Sequence, residues 1–157
     1  MSTKEIRANS FVLEDANGMP RAILGMFKEG PALSLFDENG KGRVVVAADK
    51  EGTGLMLKDE NDKERASLLA HKGGTSLSLY DENGKDRATL GVYKEGTELA
   101  MYDENGNPRA LLRGDEDGAR LLLYDENGTG RAALTVLKNG SGLNLFDETS
   151  KLIWQAP

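Results

Sequence analysis

Acidic residues are the side chains of this sequence whose number and spacing could do chemistry. An Asp-Glu-Asn-Gly cluster at residues 81–84 recurs with small variations along the 157-residue chain. The cluster resembles the start of a calcium-binding EF-hand loop, but the third ligand position and the distal glutamate are missing. Turn formation explains Asn-Gly without an ion. We therefore predict no cofactor, with weak Ca²⁺ binding at these turns as the alternative.

The same clusters argue against catalysis. Acid–base catalysis needs one desolvated site that separates the pKa values of two groups, whereas the Asp-Glu pairs here are repeated copies of one exposed arrangement. The single histidine, His71, stands where the neighbouring repeats have Asp49 and Tyr93, and no serine and acid are spaced around it as a triad. The chain has no cysteine, which removes thiol chemistry. We predict that the protein is not an enzyme and has no catalytic, cofactor-binding or metal-binding residues.

A repeat of 22 residues generates the clusters. Aspartate occupies positions 15, 37, 59, 81, 103, 125 and 147, and arginine follows six residues later in all but the last repeat. A fixed period of this length is the signature of a repeat architecture. We predict a lead-in at residues 1–10, a repeat array at 11–146 and an atypical C-terminal cap at 147–157. The rival interpretation of the cap, which carries the only tryptophan, Trp154, is a docking contact.

Apolar and polar residues alternate inside each repeat, at 77–80 and again at 87–92. Alternation bounded by glycine turns is typical of half-buried β-strands. No stretch of the sequence shows a helical period. Two strands and two turns per repeat predict an all-β fold, an elongated antiparallel meander of about fourteen strands.

The turns set the predicted register. Asn-Gly at 83–84 is a strong signal for a two-residue type I′ turn, which would pair Leu79 with Ala88 and Tyr80 with Arg87. A three-residue loop is rejected because it would place Arg87 among the leucines.

At the next turn, Glu-Gly at 95–96 is predicted to pair Val92 with Leu99 and Leu90 with Met101. With both turns in place, every apolar side chain lies on one face. The arginines are predicted to lie on the solvated face, where they pair with Tyr, Phe and acidic side chains.

A two-sided parallel β-solenoid, with one 22-residue coil per layer, also fits the alternation. Its identical columns would stack at about 4.8 Å and place like charges next to one another. The meander keeps identical positions two strands apart, so we favour it.

The meander leaves an apolar face that nothing in the chain covers. Fourteen strands would expose on the order of 1,300 Å² of apolar surface, against about 300–600 Å² for the largest patch of a typical monomer. We predict that copies of the same chain cover it, as a trimeric β-prism in preference to a dimer. The predicted oligomer interface consists of Leu33, Leu35, Leu55, Leu57, Leu77, Leu79, Leu90, Leu99, Met101, Leu112, Leu121, Leu123, Leu134, Leu143, Leu145 and Trp154.

Charge and composition exclude other partners. The net charge of −6 and the absence of a basic cluster argue against nucleic acid and anionic membranes. We find no apolar run long enough for membrane insertion and no signal peptide in "MSTKEIRANS". The compartment stays open between the cytoplasm and an extracellular or phage-like appendage.

At "LYDENGKDRATLGV", residues 79–92, the chain resembles uncharacterised bacterial tandem-repeat proteins built from LxLYDxxGKxRAxLxV units. The resemblance covers residues 11–154 and implies nothing about an activity. The sequence predicts a structural, self-assembling protein that forms a rod, fibre or filament segment. The alternative is a binding module that engages a glycan or a protein partner with the repeated polar face.

Overall fold

The computed structural model describes residues 5–157, so part of the predicted lead-in lies outside the described residues. The described chain forms fourteen β-strands and no helix, and it divides into two units, the first ending at Lys72 and the second beginning at Gly73. The first unit contains β1 (Ser10–Glu14), β2 (Pro20–Met26), β3 (Pro31–Phe36), β4 (Gly42–Ala48), β5 (Gly52–Lys58) and β6 (Glu64–His71). The second contains β7 (Gly74–Tyr80), β8 (Asp86–Tyr93), β9 (Gly96–Tyr102), β10 (Pro108–Asp115), β11 (Gly118–Tyr124), β12 (Gly130–Leu137), β13 (Gly140–Phe146) and β14 (Leu152–Ala156).

Within each unit, every strand pairs antiparallel with the next strand along the chain. This confirms the predicted all-β antiparallel meander with two strands in each repeat. It also excludes the solenoid within each unit, because identical columns in a solenoid would run in parallel.

The Asp-Glu-Asn-Gly turns differ from the prediction of a type I′ turn. Gly84 has a positive φ of 79°, whereas Asn83 does not have the positive φ that type I′ requires. The Gly84 N–H donates to the Asp81 carbonyl at 3.0 Å, and the Asp81 N–H donates to the Lys85 carbonyl at 2.9 Å. This is a type I turn followed by a left-handed glycine, with three loop residues.

The Asp81 carboxylate explains why this turn forms. Its Oδ1 accepts the N–H of Asn83 at 2.8 Å and the N–H of Lys85 at 3.1 Å. An aspartate that hydrogen-bonds the backbone two residues on favours a type I turn with itself at the first position.

A β-bulge keeps the apolar residues on one face despite the three-residue loop. Tyr80 pairs with Asp86 and not, as predicted, with Arg87, but Leu79 pairs with Ala88 as predicted. Arg87 is therefore the extra residue of the bulge. The three-residue loop that the sequence analysis rejected is therefore the loop that forms. The bulge cancels the one-residue change in strand register that this loop causes.

The loop between β8 and β9 lies one residue earlier in the chain than predicted. Leu90 pairs with Leu99 and Val92 pairs with Thr97, so the predicted partners of both residues were wrong by two positions. The loop consists of residues 94–95, and Gly96 begins β9. A two-residue error leaves every side chain on its face because side chains alternate with a period of two.

Neither unit buries a conventional core. Ala100 is the only buried hydrophobic residue among those described, with 3% of its surface exposed. The buried small residues, including Ser78, Gly91 and Ala100, lie on the face opposite Leu77, Leu90 and Leu99.

Most of the large apolar side chains lie on the more open face of each sheet. The prediction that every apolar side chain lies on that face was wrong, because Val45 pairs with Met56 and Leu111 pairs with Leu122 on the opposite face.

Candidate interaction surfaces

The apolar side chains of the second unit line up across its strands, and we call this surface its leucine face. Directly paired residues form a central row of Leu77, Leu90, Leu99, Leu112, Leu121, Leu134, Leu143 and Ala156. A second row consists of Leu79, Ala88, Met101, Ala110, Leu123, Ala132, Leu145 and Trp154. About half of the surface of Leu90, Leu112 and Leu134 is exposed.

The first unit has its own leucine face. Its central row is Phe11, Leu24, Leu33, Val46, Leu55 and Leu68, and its second row is Leu13, Ala22, Leu35, Val44, Leu57 and Ala66. The predicted interface residues of the first unit, Leu33, Leu35, Leu55 and Leu57, thus share one face, and those of the second unit share the other leucine face. Their role in an oligomer stays a prediction.

The leucine face of the second unit is uneven, because large and small side chains alternate along most of its second row and small residues also lie on the other side of its central row. One groove of about 300 Å³ lies beside Leu90, Leu99 and Leu112, where Gly114 and Ala119 leave space. A surface with ridges and gaps of this kind can interdigitate with a matching apolar surface.

The acidic clusters are structural elements of the turns. Asp81 Oδ2 lies 3.7 Å from Arg87 Nη1, and the corresponding Asp37–Arg43 and Asp125–Arg131 distances are 3.2 and 3.3 Å. The prediction that the arginines pair with acidic side chains is therefore correct. Each of these carboxylates already engages backbone N–H groups and a guanidinium.

Each turn is also tied to the following repeat. Arg87 Nε donates to the Tyr102 carbonyl at 3.1 Å, and Lys85 Nζ donates to the Glu104 carbonyl at 2.8 Å. The same arginine contact recurs from Arg131 to the Phe146 carbonyl at 3.0 Å. The arginines thus bind the backbone of the aromatic residues in the next hairpin as well as the acid in their own.

These contacts lower the pKa of the turn aspartates. The hydrogen bond from the Lys85 N–H is the largest cause at Asp81, where it holds the pKa of the carboxyl below its ordinary 3.8. Desolvation raises the pKa and is the largest single effect at Asp59 and Asp103, but hydrogen bonds outweigh it. The pKa is lowered in all seven repeats, at Asp15, Asp37, Asp59, Asp81, Asp103, Asp125 and Asp147.

Among residues 5–157, no group of three acidic or histidine side chains is arranged to hold a metal ion. The turn carboxylates accept hydrogen bonds from the backbone N–H groups of their own turns, which is a structural role and not calcium ligation. Weak calcium binding stays an untested alternative.

The third repeat departs from the pattern of its neighbours at Lys58, Asp62 and His71. Lys58 Nζ and Asp62 Oδ1 form an ion pair at 2.9 Å within one turn, where Asp62 takes the left-handed position with a φ of 63°. His71 ends β6, opposite Gly52. The structure therefore separates His71 from the other two residues.

A charged and aromatic cluster in the second unit was missed by the sequence analysis. Glu98 pairs with Arg113 across β9 and β10, and Arg113 pairs with Arg120 across β10 and β11. Asp115 Oδ2 lies 3.4 Å from Arg113 Nε and 2.5 Å from Arg120 Nη1. The signal was available, because the neighbouring repeats carry small residues, such as Ser76 and Gly91, where this one has Glu98 and Arg113.

The C-terminal segment forms a strand that follows the pattern of the others. In β14, Trp154 pairs with Leu145 and Ala156 pairs with Leu143. Trp154 extends the second row of the leucine face and is 48% exposed.

No protein-family model matches the chain, and no curated protein matches it either. None of the described residues forms a helix that is long and apolar enough to cross a membrane.

Proposed function

We propose that the protein is a structural, self-assembling β-repeat protein, and that copies of the chain associate through their leucine faces. The observation that carries the proposal is the exposure of these rows, because a large apolar surface without a partner is costly in water. The repeat supports a structural role, since it presents the same surface over many strands.

The size of the face supports association between copies. The eight strands of the second unit, about 4.8 Å apart, carry an apolar band about 15–20 Å wide, which amounts to roughly 600–700 Å² per copy. Two such faces in contact would bury about 1,300 Å², which is within the range of standard protein interfaces.

We favour a trimer, in which three faces surround a common axis, over a dimer. Neighbouring strands in a sheet rotate by about 20–25°, so two flat faces lose contact as the twist accumulates over many strands. The resulting assembly would form a rod, fibre or filament segment.

Size-exclusion chromatography coupled to light scattering, at two protein concentrations, tests the proposal. A mass near three times 17.0 kDa supports the trimer, and polymers would support a filament. A 17.0 kDa monomer at both concentrations would overturn the proposal.

A charge on the leucine face identifies the surface involved. Leu99 lies in the central row between Leu90 and Leu112, so Leu99→Asp places a carboxylate in the proposed interface and should dissociate the assembly. Asn144→Asp adds the same charge on the opposite face of β13 and should keep the mass of the wild type. If Leu99→Asp also keeps that mass, the leucine face is not the interface.

A further inference from the structure

We propose that Tyr93, Glu98 and Arg113 form a saccharide-binding site at the loop between β8 and β9. These side chains line one pocket of about 180 Å³, whose remaining wall consists of Glu95 and the first two residues of β9, Gly96 and Thr97. The pocket adjoins a groove of about 640 Å³ that runs from Tyr93 to residues 113–117 and offers room for further sugar units.

The Tyr93 ring supplies an aromatic platform. It lies directly over Gly91, since a Cβ atom at position 91 would be 2.2 Å from Tyr93 Cε2. The glycine therefore lets the ring lie close to the sheet, while 38% of the residue stays exposed. An exposed aromatic ring in a fixed position can stack against the apolar C–H face of a sugar ring, because it combines a large apolar surface with a polar hydroxyl.

Glu98 and Arg113 supply the polar contacts. They are directly paired across β9 and β10, on the same face of the sheet as Tyr93. No hydrogen bond or ion pair within residues 5–157 engages the Glu98 carboxylate. Arg113 lines the pocket and contacts Asp115 Oδ2 through Nε at 3.4 Å. A carboxylate acceptor beside guanidinium donors matches adjacent sugar hydroxyls, each of which both donates and accepts.

The combination occurs once in the repeat array. The equivalent positions hold Phe27, Ala32 and Ala47 in the first unit, then Asp49, Gly54 and Leu69, then His71, Ser76 and Gly91, and after this site Asp115, Arg120 and Thr135. A binding site is expected to break a repeat in one place, whereas a scaffold position stays uniform. Phe27 lies over Gly25 much as Tyr93 lies over Gly91, with Phe27 Cε2 3.4 Å from the Cβ that Gly25 lacks, but alanines replace the two charged residues.

The site lies on the face opposite the leucine face of the second unit, because Glu98 and Arg113 alternate with Leu99 and Leu112 along their strands. Sugar binding and self-association therefore use different surfaces. Either proposal can fail without the other.

Titration of the wild-type protein followed by two-dimensional NMR of its backbone amides tests the site. The probes are the methyl glycosides of glucose, galactose, mannose and N-acetylglucosamine. We expect at least one of them to shift the amides of residues 93–98 and of Arg113, with a dissociation constant in the millimolar range. The absence of such shifts with all four probes would overturn the proposal.

Matched variants assign the shifts to the three side chains. Tyr93→Ala removes the platform and should weaken binding at least about tenfold, and Glu98→Gln should weaken it without changing the fold. Tyr93→Phe should retain most of the affinity, and Phe27→Ala, the equivalent change in the first unit, should leave it unchanged. Equal affinity of Tyr93→Ala and Phe27→Ala would contradict the proposal. Identical shifts with acetate or sulfate alone would show a simple anion site and overturn the saccharide assignment.

Discussion

At the scale of single residues, the aspartate of each repeat organises its turn. Asp81 binds two backbone N–H groups through Oδ1 and faces Arg87 through Oδ2, although the sequence first suggests calcium ligation for such a residue. Because the arginine also binds the backbone of the next hairpin, one carboxylate supports the turn and the contact between repeats.

The lowered pKa values predict a loss of stability in acid. A carboxyl whose pKa is lower in the folded state stabilises the fold above its unfolded pKa, about 3.8, and loses this contribution as the pH falls through the folded value. We expect the melting temperature to fall between about pH 4 and about pH 2. Asp81→Asn should lower the melting temperature at neutral pH but have little effect on it in acid. Glu82→Gln, the control, should leave the melting temperature unchanged at both pH values. A melting temperature independent of pH would contradict the role of the aspartates.

Gly84 tests the turn type. A Cβ atom at this position would have no neighbour within 4 Å, so Gly84→Val acts through its positive φ alone. We expect Gly84→Val to lower the free energy of unfolding by about 1–2 kcal/mol. Gly84→Asp, which copies Asp62 of the third repeat, should cost less. Chemical denaturation measures the free energy of unfolding of both variants. Equal decreases for Gly84→Val and Gly84→Asp would argue against a left-handed residue at this position.

At the scale of the strands, close approach at the start of β9 requires a glycine. A Cβ atom on Gly96, whose φ is 141°, would lie 2.2 Å from the Gly114 carbonyl oxygen of β10. Gly140 begins β13 with nearly the same φ of 142°, but a Cβ there would have no neighbour within 4 Å. The two positions therefore separate backbone strain from steric contact with the neighbouring strand.

We predict that Gly96→Ala destabilises the protein much more than Gly140→Ala. Both substitutions carry backbone strain of about 1–3 kcal/mol, and only Gly96→Ala forces β9 and β10 apart. Hydrogen exchange should show early loss of protection in β9 and β10 for Gly96→Ala. Equal melting temperatures for the two variants would show that the carbonyl contact does not matter.

At the scale of the whole molecule, the proposed assembly would link folding to association, because few apolar side chains among the described residues are buried. A chain that buries its leucine faces only against other copies gains stability from mass action. We expect the melting temperature of the wild-type protein to rise with protein concentration and that of Leu99→Asp to stay constant and lower. A wild-type melting temperature that does not change on dilution would contradict this link.

The sequence by itself determined the strands, their antiparallel order and the common face of the leucines that recur in the repeat. This follows because alternation is local, so Leu77 and Leu79 share a face whatever turn precedes or follows them. For the same reason, errors of two residues in the register of Leu90 and Val92 left the face assignment intact.

The tertiary structure decided the turn type, the partners across strands and the candidate sugar site. The turn type depended on competition between the type I′ preference of Asn-Gly and the hydrogen bonds that the Asp81 carboxylate accepts from the backbone, which a count of residues does not resolve. The site depended on register, because Glu98 pairs with Gly91, over which the Tyr93 ring lies, only when the loop consists of residues 94–95. Periodicity fixes which way a side chain points, whereas the turns fix which side chain it meets.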